Sequence, residues 1–125
     1  MLAKFAKRAT IVFAAMAALI IAASGQAQAA DAYLYYYDLD HTRLGYMVHL
    51  DAEPDKIKVC DTYADGYTVS GSIWEGRTQI GSTVRDGSDA GCNYGTVPLE
   101  SGHTYEMVLC WEAPRAECRS RTITE

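Results

Sequence analysis

The sequence predicts an all-β fold: a small, disulfide-stapled antiparallel β-sandwich, with a small barrel as the alternative. Three observations predict it. Apolar and polar residues alternate in short runs separated by Gly, Asp and Pro turns. No stretch beyond residue 30 repeats its apolar residues with the roughly 3.6-residue period of a helix. Four cysteines, Cys60, Cys92, Cys110 and Cys118, lie in a chain with room for only a modest core.

The strands follow in order. Tyr33-Leu34-Tyr35-Tyr36-Tyr37 is β-prone, and Asp38-Leu39-Asp40 ends it. Residues 43–50 form a second strand, with Leu44, Tyr46, Val48 and Leu50 on one face. The polar turn 51–55 leads to a third strand at 57–60. Asp65-Gly66 turns the chain into a fourth strand at 67–74, and Glu75-Gly76 into a fifth at 77–85. The fifth has the polar interior of a half-exposed strand. Residues 86–95 hold three glycines and two aspartates and read as a loop pinned by Cys92. Residues 96–99 are predicted as a short edge strand, because Pro98 cannot donate to a ladder. Strands at 104–111 and 117–123 close the chain.

The first 30 residues have the three parts of a secretory signal peptide. Lys4, Lys7 and Arg8 precede an apolar segment from Ala9 to Ala23, broken only by Thr10. Ala27-Gln28-Ala29 then offers the small residues that signal peptidase requires. The apolar segment is short of the roughly 20 residues of a spanning helix. The expected organisation is a leader at 1–30 and one domain at 31–125, secreted to the extracellular space.

That domain is acidic. All 16 Asp and Glu but only eight of the 11 Lys and Arg fall in it, a net charge near −8. Such a surface repels nucleic acid and anionic membranes, so nucleic-acid binding is not expected; no stretch after the leader is apolar enough to cross a bilayer, so stable membrane insertion after cleavage is not expected either. Both phenylalanines, Phe5 and Phe13, belong to the leader, while the domain keeps nine tyrosines and two tryptophans.

An even cysteine count with an oxidising destination points to two disulfides, in any of three pairings. A turn at Ala113-Pro114-Arg115-Ala116 sets Cys110 opposite Cys118 and leaves Cys60 with Cys92.

The stretch Leu99-Glu100-Ser101-Gly102-His103-Thr104-Tyr105 resembles the tyrosine corner of Greek-key β-sandwiches. The resemblance implies a Greek-key sandwich in which the Tyr105 hydroxyl bonds back to the preceding connection. No Cys…Trp…Cys series of an immunoglobulin domain is present. Residues 59–66 (Val-Cys-Asp-Thr-Tyr-Ala-Asp-Gly) and 108–111 (Val-Leu-Cys-Trp) also resemble small secreted proteins of streptomycetes and related actinobacteria. That group's function is unknown, so the resemblance implies secretion and disulfides but no particular activity.

No motif assigns a chemistry. No serine sits in Gly-x-Ser-x-Gly, and the cysteines are expected to be oxidised. His41, His49 and His103 are scattered and no CxxC occurs, which argues against structural zinc. No catalytic, cofactor-binding or metal residue is therefore assigned and no cofactor is expected. Calcium is a minority alternative, on the loop carboxylates Asp61, Asp65, Asp86 and Asp89.

Tyr33, Tyr35 and Tyr37 share one strand face. They either replace the missing phenylalanines in the core, which is the favoured reading, or form an exposed binding row. With Tyr94, Trp111 and Arg115 they make up the candidate binding surface. The expected function is that of a secreted, non-catalytic protein binding an extracellular protein or carbohydrate through this surface. Two alternatives stand beside it. One is an inhibitor of secreted hydrolases, presenting the loop 88–95 or the Arg115 turn. The other is a small carboxylate-dependent hydrolase.

Overall fold

The computed structural model describes residues 30–87 and 91–125. The predicted leader, Ala30 excepted, lies outside the described residues, as do Ser88, Asp89 and Ala90. Eight strands are present: β1 (Ala32–Tyr37), β2 (Arg43–Leu50), β3 (Lys56–Asp61), β4 (Val69–Glu75), β5 (Thr78–Asp86), β6 (Asn93–Thr96), β7 (Thr104–Trp111) and β8 (Glu117–Thr124).

They form two four-stranded antiparallel sheets packed as a sandwich, with strand orders β1-β2-β3-β6 and β5-β4-β7-β8. The chain changes sheet after β3, β5 and β6, so β6 returns beside β3 and β7 beside β4. Among the described residues no helix is long and apolar enough to cross a membrane.

Period-two alternation explains which residues meet. On β1, Ala32, Leu34 and Tyr36 are buried while Tyr33, Tyr35 and Tyr37 are exposed. The inner face of the first sheet supplies Leu34, Tyr36, Met47, Ile57 and Val59 to the core. The second supplies Val69, Ile73, Tyr105, Met107, Leu109 and Ile123. Each large side chain so buried stabilises the fold by about 1.5–3 kcal/mol. Tyr36 is the one aromatic of the opening run in this core, and its hydroxyl donates to Glu117 Oε2 at 3.0 Å. Tyr105 is also buried, and its hydroxyl accepts the Glu100 N–H at 2.8 Å. This bond ties β7 to the connection that precedes it.

The sheets approach closely at Gly71 on β4. A Cβ there would lie 2.5 Å from Val59 Cγ2 and 3.0 Å from Met47 Sδ. Both neighbours are fully buried and have nowhere to move. Gly71→Ala is therefore expected to cost about 1–3 kcal/mol through overpacking. Urea unfolding checks this; an unchanged midpoint would show that the sheets separate more easily than their packing implies.

Both disulfides are intersheet-independent staples. Cys110 and Cys118 are register partners on β7 and β8, so their bridge lies across one hairpin. Cys60 on β3 is bonded to Cys92, immediately before β6. That bond corrects the expected loop at 86–95. Cys92 delivers the chain to the edge of β3, where residues 93–96 pair with Val59 through Lys56. The predicted strand at 96–99 is thereby shifted three residues towards the N-terminus, and Pro98 lies beyond the ladder.

Candidate metal centre

The four side chains His49, Asp51, Asp55 and Glu125 converge at one end of the sandwich. One potential ligand atom from each lies within 4.8 Å of all the others. The local sequence explains three of them. Alternation along β2 sends Met47 and His49 inward together. Opposite His49 on β1 stands Ala32, whose methyl group leaves space for an imidazole. The polar turn after β2 then brings Asp51 and Asp55 back over the ring.

Glu125 comes from the other sheet, just beyond β8. Its backbone is fixed twice: its N–H donates to His103 O at 3.0 Å, and its carbonyl accepts the Gly102 N–H at 2.7 Å. Asp51 is held by its own N–H, which donates to Asp31 Oδ1 at 2.9 Å. The Asp55 carbonyl accepts the Val97 N–H at 3.0 Å. All four donors are thus mounted on backbone that hydrogen bonds or strand pairing hold in place.

His49 and Asp55 are almost fully buried, at 3% and 4% exposure; Asp51 and Glu125 are half-buried. His49 Nε2 lies 3.3 Å from Asp55 Oδ1 and 3.7 Å from Glu125 Oε2. Glu125 Oε2 is buried and makes no hydrogen bond with the described residues. Burial raises the Glu125 carboxyl above its ordinary range, the neighbouring carboxyl groups of Asp55 and Asp51 push it further, and His49 opposes them. Three carboxyl groups and one imidazole therefore share a site where negative charge is poorly solvated. A divalent cation relieves that repulsion, and the group as it stands is able to coordinate one.

The histidines separate in the fold. His103 sits on the surface, with Nδ1 2.7 Å from Glu75 Oε1, Nε2 3.3 Å from Glu100 Oε2 and its ring against Tyr105. The Glu75 hydrogen bond raises its pKa above 6.5. Its contribution to stability is accordingly complete below the unfolded value and disappears as pH rises through the folded one. In an NMR titration His103 should titrate above an unperturbed histidine, and Glu75→Gln should move its midpoint down. A midpoint indifferent to that substitution would show the pair to be absent in solution.

The expected site residues lie elsewhere. Tyr33, Tyr35, Tyr37 and Tyr94 are exposed, at 41–58%. The favoured placement of the β1 tyrosines in the core is therefore corrected: alternation gives that face to Leu34 and Tyr36. Trp111 is half-buried between Tyr36 and Tyr67, and its Nε1 donates to Asp65 Oδ2 at 2.9 Å. Arg115 is exposed in the turn between β7 and β8.

The loop carboxylates of the minority calcium alternative serve as backbone acceptors. Asp86 Oδ2 accepts the Asp61 N–H, Asp61 Oδ1 that of Tyr63, and Asp65 Oδ1 that of Tyr67. Asp89 lies outside the described residues.

The expectation of a non-catalytic protein is corrected by the His49–Asp51–Asp55–Glu125 cluster. Imidazole with carboxylates is a donor set used by catalytic as well as structural metal centres. Scattering along the chain argued against such a centre, yet His49-Leu50-Asp51 followed by Asp55 places three donors within seven residues around one turn. That spacing was readable. Glu125, brought in by the closing strand, was not.

No family model matches the chain, and no curated protein or solved structure is significantly similar to it.

Proposed function

We propose that this domain binds a divalent cation of the zinc class at His49, Asp51, Asp55 and Glu125. The observation that carries the reading is a buried imidazole sharing one 4.8 Å cluster with three carboxyl groups, one of whose oxygens is buried without a hydrogen bond. Imidazole nitrogen selects zinc and its neighbours over calcium, which takes oxygen ligands. Zinc bonds at about 2.0–2.2 Å, so the cluster contracts slightly as it fills. Calcium tolerates the wider spacing but gains little from His49.

Calorimetric titration of the chelator-treated protein tests this. One equivalent of zinc is expected to bind, with calcium at least about tenfold weaker, and Asp55→Asn is expected to lower zinc affinity by a similar factor or more. Absence of a zinc isotherm, or binding unaffected by Asp55→Asn, would refute it.

A second reading, metal-dependent hydrolysis, is favoured by the partial exposure of Asp51, since a catalytic site keeps one position accessible. A bound zinc ion supplies Lewis acidity and an acidified water. Asp51 or Glu125, if left outside the coordination sphere, would serve there as a proton acceptor. Zinc-dependent turnover of ester or glycoside substrates, lost in His49→Gln, is the expected result; no turnover by the zinc-loaded protein would leave a purely binding centre.

Secretion through the leader at 1–30 belongs to the same proposal. An N-terminus at Ala30 or Asp31 in the protein recovered from culture medium would support it, and recovery of the intact chain from the cytoplasm would oppose it.

A further inference from the structure

We propose that the outer face of the β1-β2-β3-β6 sheet, together with the cavity at its end, binds an acidic polysaccharide through its tyrosines and cations. This surface is separate from the metal cluster. His49 lies opposite Ala32 at the start of β1, whereas the cavity opens beyond Tyr37 at its end.

The first support is the arrangement of the rings. Tyr33, Tyr35 and Tyr37 follow one another along β1 with centroids 6.1 and 6.2 Å apart, and Tyr33 and Tyr35 are inclined by only 12°. Tyr46 on β2 adds a fourth ring 5.9 Å from Tyr35. Across the sheet, the register runs from Tyr33 through Val48 and Lys58 to Tyr94. Tyr94 is 58% exposed. Sugar rings offer apolar C–H faces edged with hydroxyls, which match a tyrosine's apolar face and polar tip.

The second support is charge. The domain is strongly acidic, but this face is not. Arg43 lies 5.3 Å from the Tyr46 centroid and 5.9 Å from that of Tyr35. Lys58 lies 5.7 Å from Tyr46 and 6.0 Å from Tyr94. Lys56 projects from the same side of β3 as Lys58 by alternation. Against these three cations stands Asp31, the residue that precedes β1. Cations interleaved with aromatic rings complement a chain that alternates apolar sugar faces with carboxylates.

The third support is a cavity of about 380 Å³ that shares Tyr37 with the row and is otherwise lined from the inner side of β1, the turn after it and the β7–β8 hairpin. Tyr36 and Trp111 contribute aromatic lining, and Arg115, Arg119 and the almost fully exposed Leu39 complete much of the remainder. Its lining carries three carboxylates, Asp38, Asp40 and Glu117, against two guanidinium groups, and two of the three carboxylates are already engaged within the protein. Asp38 Oδ1 accepts the N–H groups of Asp40 and Thr42, and Glu117 Oε2 accepts the Tyr36 hydroxyl. Arg119 is stacked 4.5 Å from the Tyr36 centroid. Arg115, exposed in the turn between β7 and β8, is the other guanidinium of the lining and the one proposed to meet a uronate. Concave sites with aromatic walls and few polar groups are the usual seats of small ligands.

The test is titration of the protein with an alginate hexamer, followed by calorimetry and by amide shifts of β1, β2 and β6. Excess chelator keeps the metal cluster out of the result. Binding is expected, to weaken as salt is added, and to fall at least about tenfold in Tyr35→Ala and in Arg43→Gln. Tyr94→Ala, at the most exposed ring, supplies a second aromatic variant. Cellohexaose is expected to bind at least about tenfold more weakly, and poly-glutamate not at all. Failure of the folded protein to bind alginate would overturn the proposal, as would an affinity unaltered by both tyrosine substitutions. Equal binding of cellohexaose would remove the requirement for acidity. Binding of poly-glutamate as tight as that of alginate would assign the face to acidic peptides instead.

Discussion

Replacing both Cys60 and Cys92 by alanine is expected to lower the unfolding free energy by about 4 kcal/mol. The bridge spans 32 positions, and closing a loop of that length removes roughly this much entropy from the unfolded chain. Small domains have about 5–15 kcal/mol in total, so the loss is a large fraction of what holds this fold. It should also be local before it is global. β6 has four residues, pairs only with β3 and is delivered to that edge by Cys92. Amide exchange at Tyr94 and Gly95 should therefore accelerate under conditions where β2 and β7 remain protected. Removing Cys110 and Cys118, eight positions apart, should cost less, about 2.5 kcal/mol. Urea unfolding of the two variants measures the difference. Equal losses would mean that native-state strain or residual unfolded structure, not loop length, sets the contributions.

His49→Ala in the metal-free protein is expected to cost about 3 kcal/mol or more. The imidazole is almost fully buried beside Asp55, and neither side chain can turn to water. Removing it leaves a carboxyl group without its partner in a poorly solvated site and opens a void beneath the 51–55 turn. Asp55→Asn should be milder, because an amide can still bond the ring. If His49→Ala unfolds at the wild-type urea concentration, the cluster is solvated and the burial argument fails with it.

Much of this architecture could be read from the chain because two-residue periodicity is strong where one sheet face is buried. β1, β2, β7 and β8 fall within a residue or so of their expected bounds, and the turn at Pro114 brings Cys110 opposite Cys118. β6 was obscured by its glycine-rich surroundings, since a disulfide rather than an apolar pattern places it at the β3 edge. The tyrosines of β1 show another limit. Composition alone, with no phenylalanine left in the domain, favours putting them inside; the alternation with Leu34 and Tyr36 puts three of them outside.

The metal cluster was harder to see for a topological reason. A histidine and two aspartates near one turn are ordinary until a glutamate from the far end of the chain is set against them. That meeting depends on β8 running antiparallel to β7 and ending where β2 ends, which no local pattern reports. The exposed tyrosine face and the acidic cluster thus call on different chemistry, although the face begins at Tyr33, one register step from His49.

Anomalous diffraction at the zinc edge, from crystals grown with one equivalent of zinc, locates the ion relative to His49, Asp51, Asp55 and Glu125. One dominant peak is expected among the four side chains, about 2.0–2.2 Å from His49 Nε2 and from at least two carboxylate oxygens of Asp51, Asp55 and Glu125. A zinc-bound crystal with no density there, or with its peak on surface residues such as His103 and Glu75, would contradict the account.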